Sequence, residues 1–379
     1  WAAWDNAMTT PPNGTDYSWA LTKTQSDLSL AWQGNARTIF SALQTAGIRP
    51  VLTVRNSDNY GNSTWMANPP TTTADWNEWW EHVFATVYWL NVRNNYHVDD
   101  FEVHNEPNNR RQGWSGTEAQ YYQFVQQTSD AIKYVYATYL PGRTPHIYAP
   151  VTTYNSTWPS DVMLNDSGLF DSVDIHNYDY DMSTGDEQTH ASMNADGYGT
   201  NPLWASEWAT YASNRYADPN FGPGGIVLNL IRQSRPGNDY LTGSTLFSLY
   251  NWTTYISGLI NQDGTREPDY YAFRIGIRAL QGCRPTYQST TTHPDLNAMT
   301  TKDSTGHVYL LVTNVPTNQQ GTPITYTVDA NLSALLAGGT GTMWQYDATH
   351  LDVVVGSPTL SNGHLTFSIP GNAVILIKF

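Results

Sequence analysis

Between residues 40 and 280, short β-type runs alternate with longer segments of helical period, and that alternation limits the fold more than any other feature. Residues 51–56 (VLTVRN) read as a buried strand entered through a Gly47-Ile48-Arg49-Pro50 turn. Residues 101–106 (FEVHNE), 146–151, 172–176, 202–207 and 244–250 are further strands. Between the first two, Trp76, Trp79, Trp80, Val83, Phe84, Val87 and Tyr88 recur at helical spacing over about residues 74–95. Ser115-x-x-Glu118 is a capping box that opens a helix with Tyr121, Phe124, Val125, Ile132 and Val135 on one face. Repeated β-then-α units imply a parallel sheet, closed as a barrel or doubly wound. No glycine-rich phosphate turn follows any of the strands, which counts against a nucleotide-binding doubly wound fold. The expected fold class is therefore α/β, and of the two arrangements a barrel of the (β/α)8 TIM kind is the one carried forward.

The pattern changes after about Gly282. Residues 307–314 (HVYLLVTN), 324–329, 341–346, 351–355, 365–368 and 373–379 are short strands, several of them separated by turn residues such as Ser361-Asn362-Gly363. They predict an antiparallel β-sandwich over 283–379 after a barrel over 1–282. The sandwich reads as a packing domain that shields one side of the barrel, rather than as a carbohydrate-binding module.

Composition narrows the function. Charged residues are 13% of the chain, about half of what ordinary soluble domains carry. The net charge of −15 argues against a nucleic-acid partner, which needs a basic surface to displace counterions. No apolar run is long enough to span a membrane. The single cysteine excludes an internal disulfide framework and a cysteine-based zinc site. Fifteen Trp and 25 Tyr supply flat amphipathic rings of the kind that suit sugar faces, although more than half are expected in the core. Four lysines, a polar uncharged surface and six Asn-x-Ser/Thr sites (Asn13, Asn62, Asn155, Asn165, Asn251, Asn331) fit a secreted protein.

A (β/α)8 barrel carries its chemistry at the C-terminal ends of the strands. Two of the predicted strands end in glutamate: His104-Asn105-Glu106-Pro107-Asn108 and Ala205-Ser206-Glu207-Trp208. Cleavage of a glycosidic bond asks for such a pair, one carboxyl protonated for the leaving oxygen and one ionised to attack. The zinc-protease motif His-Glu-x-x-His and the nucleophile elbow Gly-x-Ser-x-Gly are both absent from the sequence. Asp179-x-Asp181-x-Ser183-x-Gly185-Asp186 has some character of a calcium loop, but its glycine falls one place late. It reads as a polar loop, and no metal or other cofactor is expected.

FEVHNEPN, DSVDIHNY and PLWASEWATY, in that order and spacing, resemble the clan of retaining glycoside hydrolases built on the (β/α)8 barrel. Within it the nearest resemblance is to glycoside hydrolase family 39, carried by NEPNNRRQGWSGTEAQYYQFVQQTSDAIK, VDIHNY and GLINQDGTREPDYYAFRI. The resemblance implies Glu106 as acid/base, Glu207 as nucleophile and Asn105 as holder of the sugar 2-hydroxyl. It places His176 and Tyr178 at the end of the sixth strand, bonded to one or other glutamate. Trp252, after the eighth strand, would be the central sugar platform. Arg55 and Asn56 are polar candidates at the mouth of the barrel, and Trp114 and Trp208 would line more distant subsites. His104 stands where the family usually has Trp, and Ser206 where Thr is common, so the β-xylosidase substrate is not carried over. The expected partner is a poly- or oligosaccharide. A non-catalytic sugar-binding protein or a transglycosylase on the same scaffold are the alternatives.

On this alignment the six strands are the third to the eighth, at about 39 residues per unit. The segment Trp1–Asp5 reads as the exit of the second strand, and a helix is expected near 36–46. No first strand is visible, and the expectation is of roughly one further βα unit upstream.

Overall fold

The computed structural model describes residues 31–56, 67–109, 112–153, 156–178, 182–209, 222–249, 258–282, 284–316 and 324–379. The second-strand exit expected at Trp1–Asp5 and the platform Trp252 lie outside them. By internal packing the chain forms two compact units. One is Trp1–His176 with Gln188–Ala205; the other is Asn177–Glu187 with Ser206–Phe379.

Strands and helices alternate as expected: α1 (Ala31–Thr45), β1 (Val51–Val54), α2 (Thr73–Tyr88), β2 (Asp100–Val103), α3 (Glu118–Tyr139), β3 (His146–Thr153), α4 (Trp158–Asp166), β4 (Ser172–Asn177), α5 (Met182–Ala195), β5 (Leu203–Trp208), α6 (Pro223–Gln233), β6 (Leu241–Leu246) and α7 (Pro268–Leu280). The six strands form one sheet in sequence order. Parallel pairing registers Val54 against Val103 and Asp100 against His146. A register shift between β3 and β4 spans Ala149-Pro150, where Pro150 has no N–H for the ladder. β2 and β4 are buried along their whole length, as strands covered on both faces must be.

In the first unit, α2 starts at a capping box between Thr72 and Asp75 and continues into a five-residue π-helical turn, Trp89–Arg93. Its tryptophans fill the gap to α3, with the Trp79 indole donating to Thr128 Oγ1 at 2.9 Å. The cap of α3 is Thr117 with Gln120, two residues beyond the expected Ser115–Glu118 box. Ser115 is engaged elsewhere, its hydroxyl donating to the Asn68 carbonyl, and Glu118 is the first helical residue. Tyr121 of α3 donates its hydroxyl to the Val103 carbonyl at 2.6 Å and so ties the helix to the end of β2. At the opposite end of β2, Asp100 accepts from Arg49 and from the Tyr148 hydroxyl, and Asp99 accepts from Arg143 and Tyr136. Those acidic residues anchor the N-terminal side of the sheet.

Three expectations are corrected. β2 stops at Val103 rather than 106, because His104 (φ +66°) and Glu106 (φ +43°) turn into the left-handed region and leave the ladder. β6 covers Leu241–Leu246 rather than 244–250, because the Ser248 and Leu249 carbonyls accept from Leu259 and Ile260 instead of a neighbouring strand. The stretch read as a polar loop is helical from Met182 onward, as the start of α5.

In the second unit, a six-stranded antiparallel sheet has the order β13-β12-β16-β9-β8-β7. Its strands are β7 (Thr286–Tyr287), β8 (Leu296–Lys302), β9 (Val308–Asn314), β12 (Thr342–Tyr346), β13 (Leu351–Gly356) and β16 (Val374–Lys378). β10 (Tyr326–Asn331) pairs with β15 (His364–Ile369), and β11 (Gly339–Thr340) with β14 (Thr359–Leu360). The larger sheet is a middle layer. On one face Met299, Leu311, Val374 and Leu376 pack with Val227 and Ile231 of α6 and Ala272 and Ile275 of α7. On the other, Leu310, Val312, Ile375 and Ile377 meet Leu365, Phe367 and Ile369 of β15. Burial of both faces explains why β9 and β16 are continuous apolar runs. A buried carboxylate, Asp352 on β13, accepts from Arg274 and Arg278 of α7. Strand β8 was not expected from sequence: LNAMTTK has no apolar alternation, and its pairing with β9 defines it.

Candidate active site

Each compact unit carries one of the candidate glutamates, and each glutamate is held by an aromatic or imidazole donor within its own unit. In the first unit, the chain leaves β2 through two left-handed residues, His104 and Glu106. The His104 amide makes the last ladder-like bond, to the Val54 carbonyl at 2.8 Å. Its imidazole is fully buried, edge-on to Trp114 and Phe124, with Nδ1 3.0 Å from the Asn105 carbonyl. Burial depresses its pKa to about 4, opposed by the Asn105 carbonyl and assisted by the charge of Arg55. His104 is therefore neutral, and the Asn105 contact assigns the proton to Nδ1.

The Glu106 carboxyl is almost completely buried, at 4% exposure. Oε1 lies 2.9 Å from His176 Nδ1 on β4, and Oε2 accepts from Asn109 Nδ2 at 2.9 Å. Burial is the largest single influence on this group and pushes its pKa up. The hydrogen bond and charge of His176, with the bonds from Asn109 and Gln112, outweigh it and hold the carboxyl below the ordinary range. Asn105 donates to Gln112 Oε1 at 3.4 Å, so Gln112 bridges Asn105 and Glu106. Asn108 fastens the turn to the end of β3, donating to Thr153 Oγ1 at 2.8 Å and accepting from the Thr153 amide at 3.2 Å. Asn109 and Gln112 were not singled out in the sequence. Their only signal is a run of amides just after the strand-end glutamate.

In the second unit, Glu207 is the penultimate residue of β5 and half-buried. The Tyr178 hydroxyl donates to its Oε2 at 2.5 Å, and the Tyr178 ring stands edge-on to Phe247. His176 and Tyr178, two residues apart at the end of β4, thus serve different glutamates.

The remaining candidates fall differently. Trp114 is 1% exposed, enclosed by His104, Tyr121 and Phe124, and its indole donates to the Thr117 carbonyl. Trp208 is equally buried, in a cluster with Ile226, Leu230 and Leu259. Both are core rings, not subsite walls, because neither offers a face to solvent. Asn56 is fully buried and its amide donates to the Ala67 carbonyl at 2.7 Å. Arg55 beside it is half-buried.

By sequence, no family model and no curated protein matches the chain. Solved structures do. A glucosidase from Croceicoccus marinus superposes with a TM-score of 0.68 at 14% identity, over 90% of this chain and 80% of that one. A family 30 endoxylanase from Clostridium papyrosolvens gives 0.67 at 13% identity, over 94% and 86%. A monomeric β-xylosidase from Caulobacter crescentus gives 0.67 at 16%, over 89% and 82%. The chain shares its fold with these three enzymes. Enzymes of families 39 and 51 are among the other matches, so the resemblance seen in NEPN and VDIHNY has a structural counterpart.

Proposed function

We propose that the chain is a retaining glycoside hydrolase acting on β-linked poly- or oligosaccharides, of the β-xylosidase or endo-glycanase kind. The observation that carries this reading is the provision made for each glutamate. Glu106 and Glu207 follow or end two strands of one parallel sheet, on the side where barrels hold their chemistry, and each carboxylate has its own ring donor, His176 or Tyr178. In the proposed reaction Glu207 attacks the anomeric carbon while Glu106 protonates the departing oxygen. Glu106 then takes a proton from water, which displaces Glu207 and releases the sugar with net retention. Asn105 would hold the 2-hydroxyl.

This cycle needs Glu106 in both protonation states. The donors around it favour the carboxylate, as the base step requires. In the proposed pair, the negative charge of ionised Glu207 raises the proton affinity of Glu106 before attack, and bonding to the sugar removes that charge. A retaining pair stands about 5–5.5 Å apart.

The proposal includes secretion, on the charge-poor polar composition and the sequons, and a sandwich from residue 283 that serves as packing partner of the catalytic barrel. The test is a screen on xylan, mannan, β-glucans, galactans and aryl β-glycosides, with NMR of the first-formed anomer. Hydrolysis with retention is expected. Glu207→Ala should be inactive and partly rescued by azide. Oligosaccharide binding without hydrolysis, or unimpaired turnover by Glu207→Ala, would overturn the reading, and transfer products at high substrate concentration would mark a transglycosylase.

A further inference from the structure

The turn after β2 does more than carry Glu106 out of the sheet. Glu106 has a left-handed backbone and is followed by Pro107, whose ring fixes φ. The Asn109 amide closes the turn onto the Glu106 carbonyl at 2.8 Å, and the Asn109 carbonyl accepts from the Gln112 amide at 2.8 Å. Asn108 between them is pinned to Thr153 by two hydrogen bonds. The backbone of Asn109 is thus fixed on both sides, and its side chain reaches back to Glu106 Oε2 at 2.9 Å. His176 holds the other oxygen at the same distance, so two donors on two oxygens define the carboxylate plane.

We propose that Asn109 is a positioning residue that holds the Glu106 carboxylate in its ionised, water-activating form. The proposal rests on the glycosidase reading and extends it to the second half of the reaction. An amide N–H can only donate, so it favours the charged oxygen and is weakened when that carboxyl takes a proton. The donor is held in place before any substrate arrives, so aligning it costs little at the moment of reaction. Among the described residues of its own unit, the titratable group facing Glu106 is His176 on β4.

The test compares the intact chain with Asn109→Ala, and with Asn109→Ser should the alanine form fail to fold. The Glu106 carboxyl is titrated by carbon-13 NMR, its signal assigned by loss in Glu106→Gln. The variant should raise the Glu106 pKa by about one unit, the size expected for losing one donor to a charged group. On an aryl glycoside with a good leaving group, where release of the sugar limits turnover, kcat should fall with KM falling alongside it, by about tenfold at pH below the Glu106 pKa and converging on the parent as pH rises above it. The alkaline limb of the pH profile on a poor leaving group should move up by the same unit. An unchanged Glu106 titration, or a loss of rate equal at every pH, would overturn the role of Asn109. Absence of glycosidase activity in the parent chain would overturn the functional reading instead, and the titration would still decide the role of Asn109.

Discussion

Acidification should destabilise the protein through His104 in a window that can be isolated. The imidazole is buried without charge, and its folded pKa is about 4 against 6.5 unfolded. Above pH 6.5 neither state binds the proton, and the group contributes nothing to pH dependence. As pH falls from about 6.5 toward about 4, the unfolded chain takes up a proton that the folded chain refuses, and stability drops. Below about 4 both states are protonated and the loss levels off. At about 1.36 kcal/mol per unit, the interval corresponds to roughly 3 kcal/mol, a substantial part of the 5–15 kcal/mol that holds a typical domain together. His104→Phe keeps a ring against Trp114 and Phe124 but removes the titration. It also removes the bond to the Asn105 carbonyl, a pH-independent loss of about 1 kcal/mol. His82, buried and held to about 3, responds to acid in the same direction and cancels between the two proteins. Glu106, held low, loses its contribution only as pH falls through its own folded pKa below 4.5. Urea unfolding from pH 8 to pH 4 should therefore show the parent losing about 3 kcal/mol more than the variant, nearly all of it below pH 6.5. Parallel curves would refute the argument that His104 is buried and neutral.

Other substitutions separate packing from chemistry. Trp114→Ala should cost about 3–5 kcal/mol in urea unfolding and leave KM unchanged in the folded fraction, as expected of a core ring; a raised KM at normal stability would restore it to a subsite. Asp352→Ala removes the acceptor shared by Arg274 and Arg278. Both guanidinium groups reach water, so the loss should be about 2 kcal/mol rather than the full cost of stranding buried charges, again measured in urea. Thr117→Ala should cost about 1 kcal/mol through the cap of α3, whereas Ser115→Ala should leave the helix terminus intact by amide exchange.

The sequence was most legible where burial is simplest. β1 (VLTV) and β3 (HIYAPVTT) announce themselves as largely apolar runs, and β2, β3 and β4 are buried along all or nearly all of their length. Their ends were harder. FEVHNE continues as if it were strand through Glu106, and nothing in its composition signals that two residues other than glycine take positive φ. Overlapping Ser115-x-x-Glu118 and Thr117-x-x-Gln120 boxes are equivalent on paper, and only the bond from Ser115 to Asn68 decides between them. β8 escaped because its pairing, not its residues, makes it a strand. At the site, Glu106 and Glu207 drew attention in the sequence because each sits at or just beyond the end of a predicted strand. Which glutamate His176 or Tyr178 touches is hidden in the sequence, because positions two apart share a face of an extended strand and Tyr178 already lies beyond the end of β4. Trp114 and Trp208 were misplaced for a related reason: a tryptophan beside a strand end serves equally well as core or as sugar wall, and burial alone distinguishes the two.

The central claim is that Glu207 forms a covalent bond to the sugar and that Glu106 serves that bond as acid and base. It is tested most directly by incubating the protein with a 2-deoxy-2-fluoro β-glycoside of a sugar it hydrolyses, digesting the inactivated chain and sequencing the labelled peptide by mass spectrometry. The account predicts one label per chain, on Glu207, and its slow release in the parent but slower release in Glu106→Ala. A label on another residue, or full hydrolysis with no covalent species and an inverted product, would contradict it.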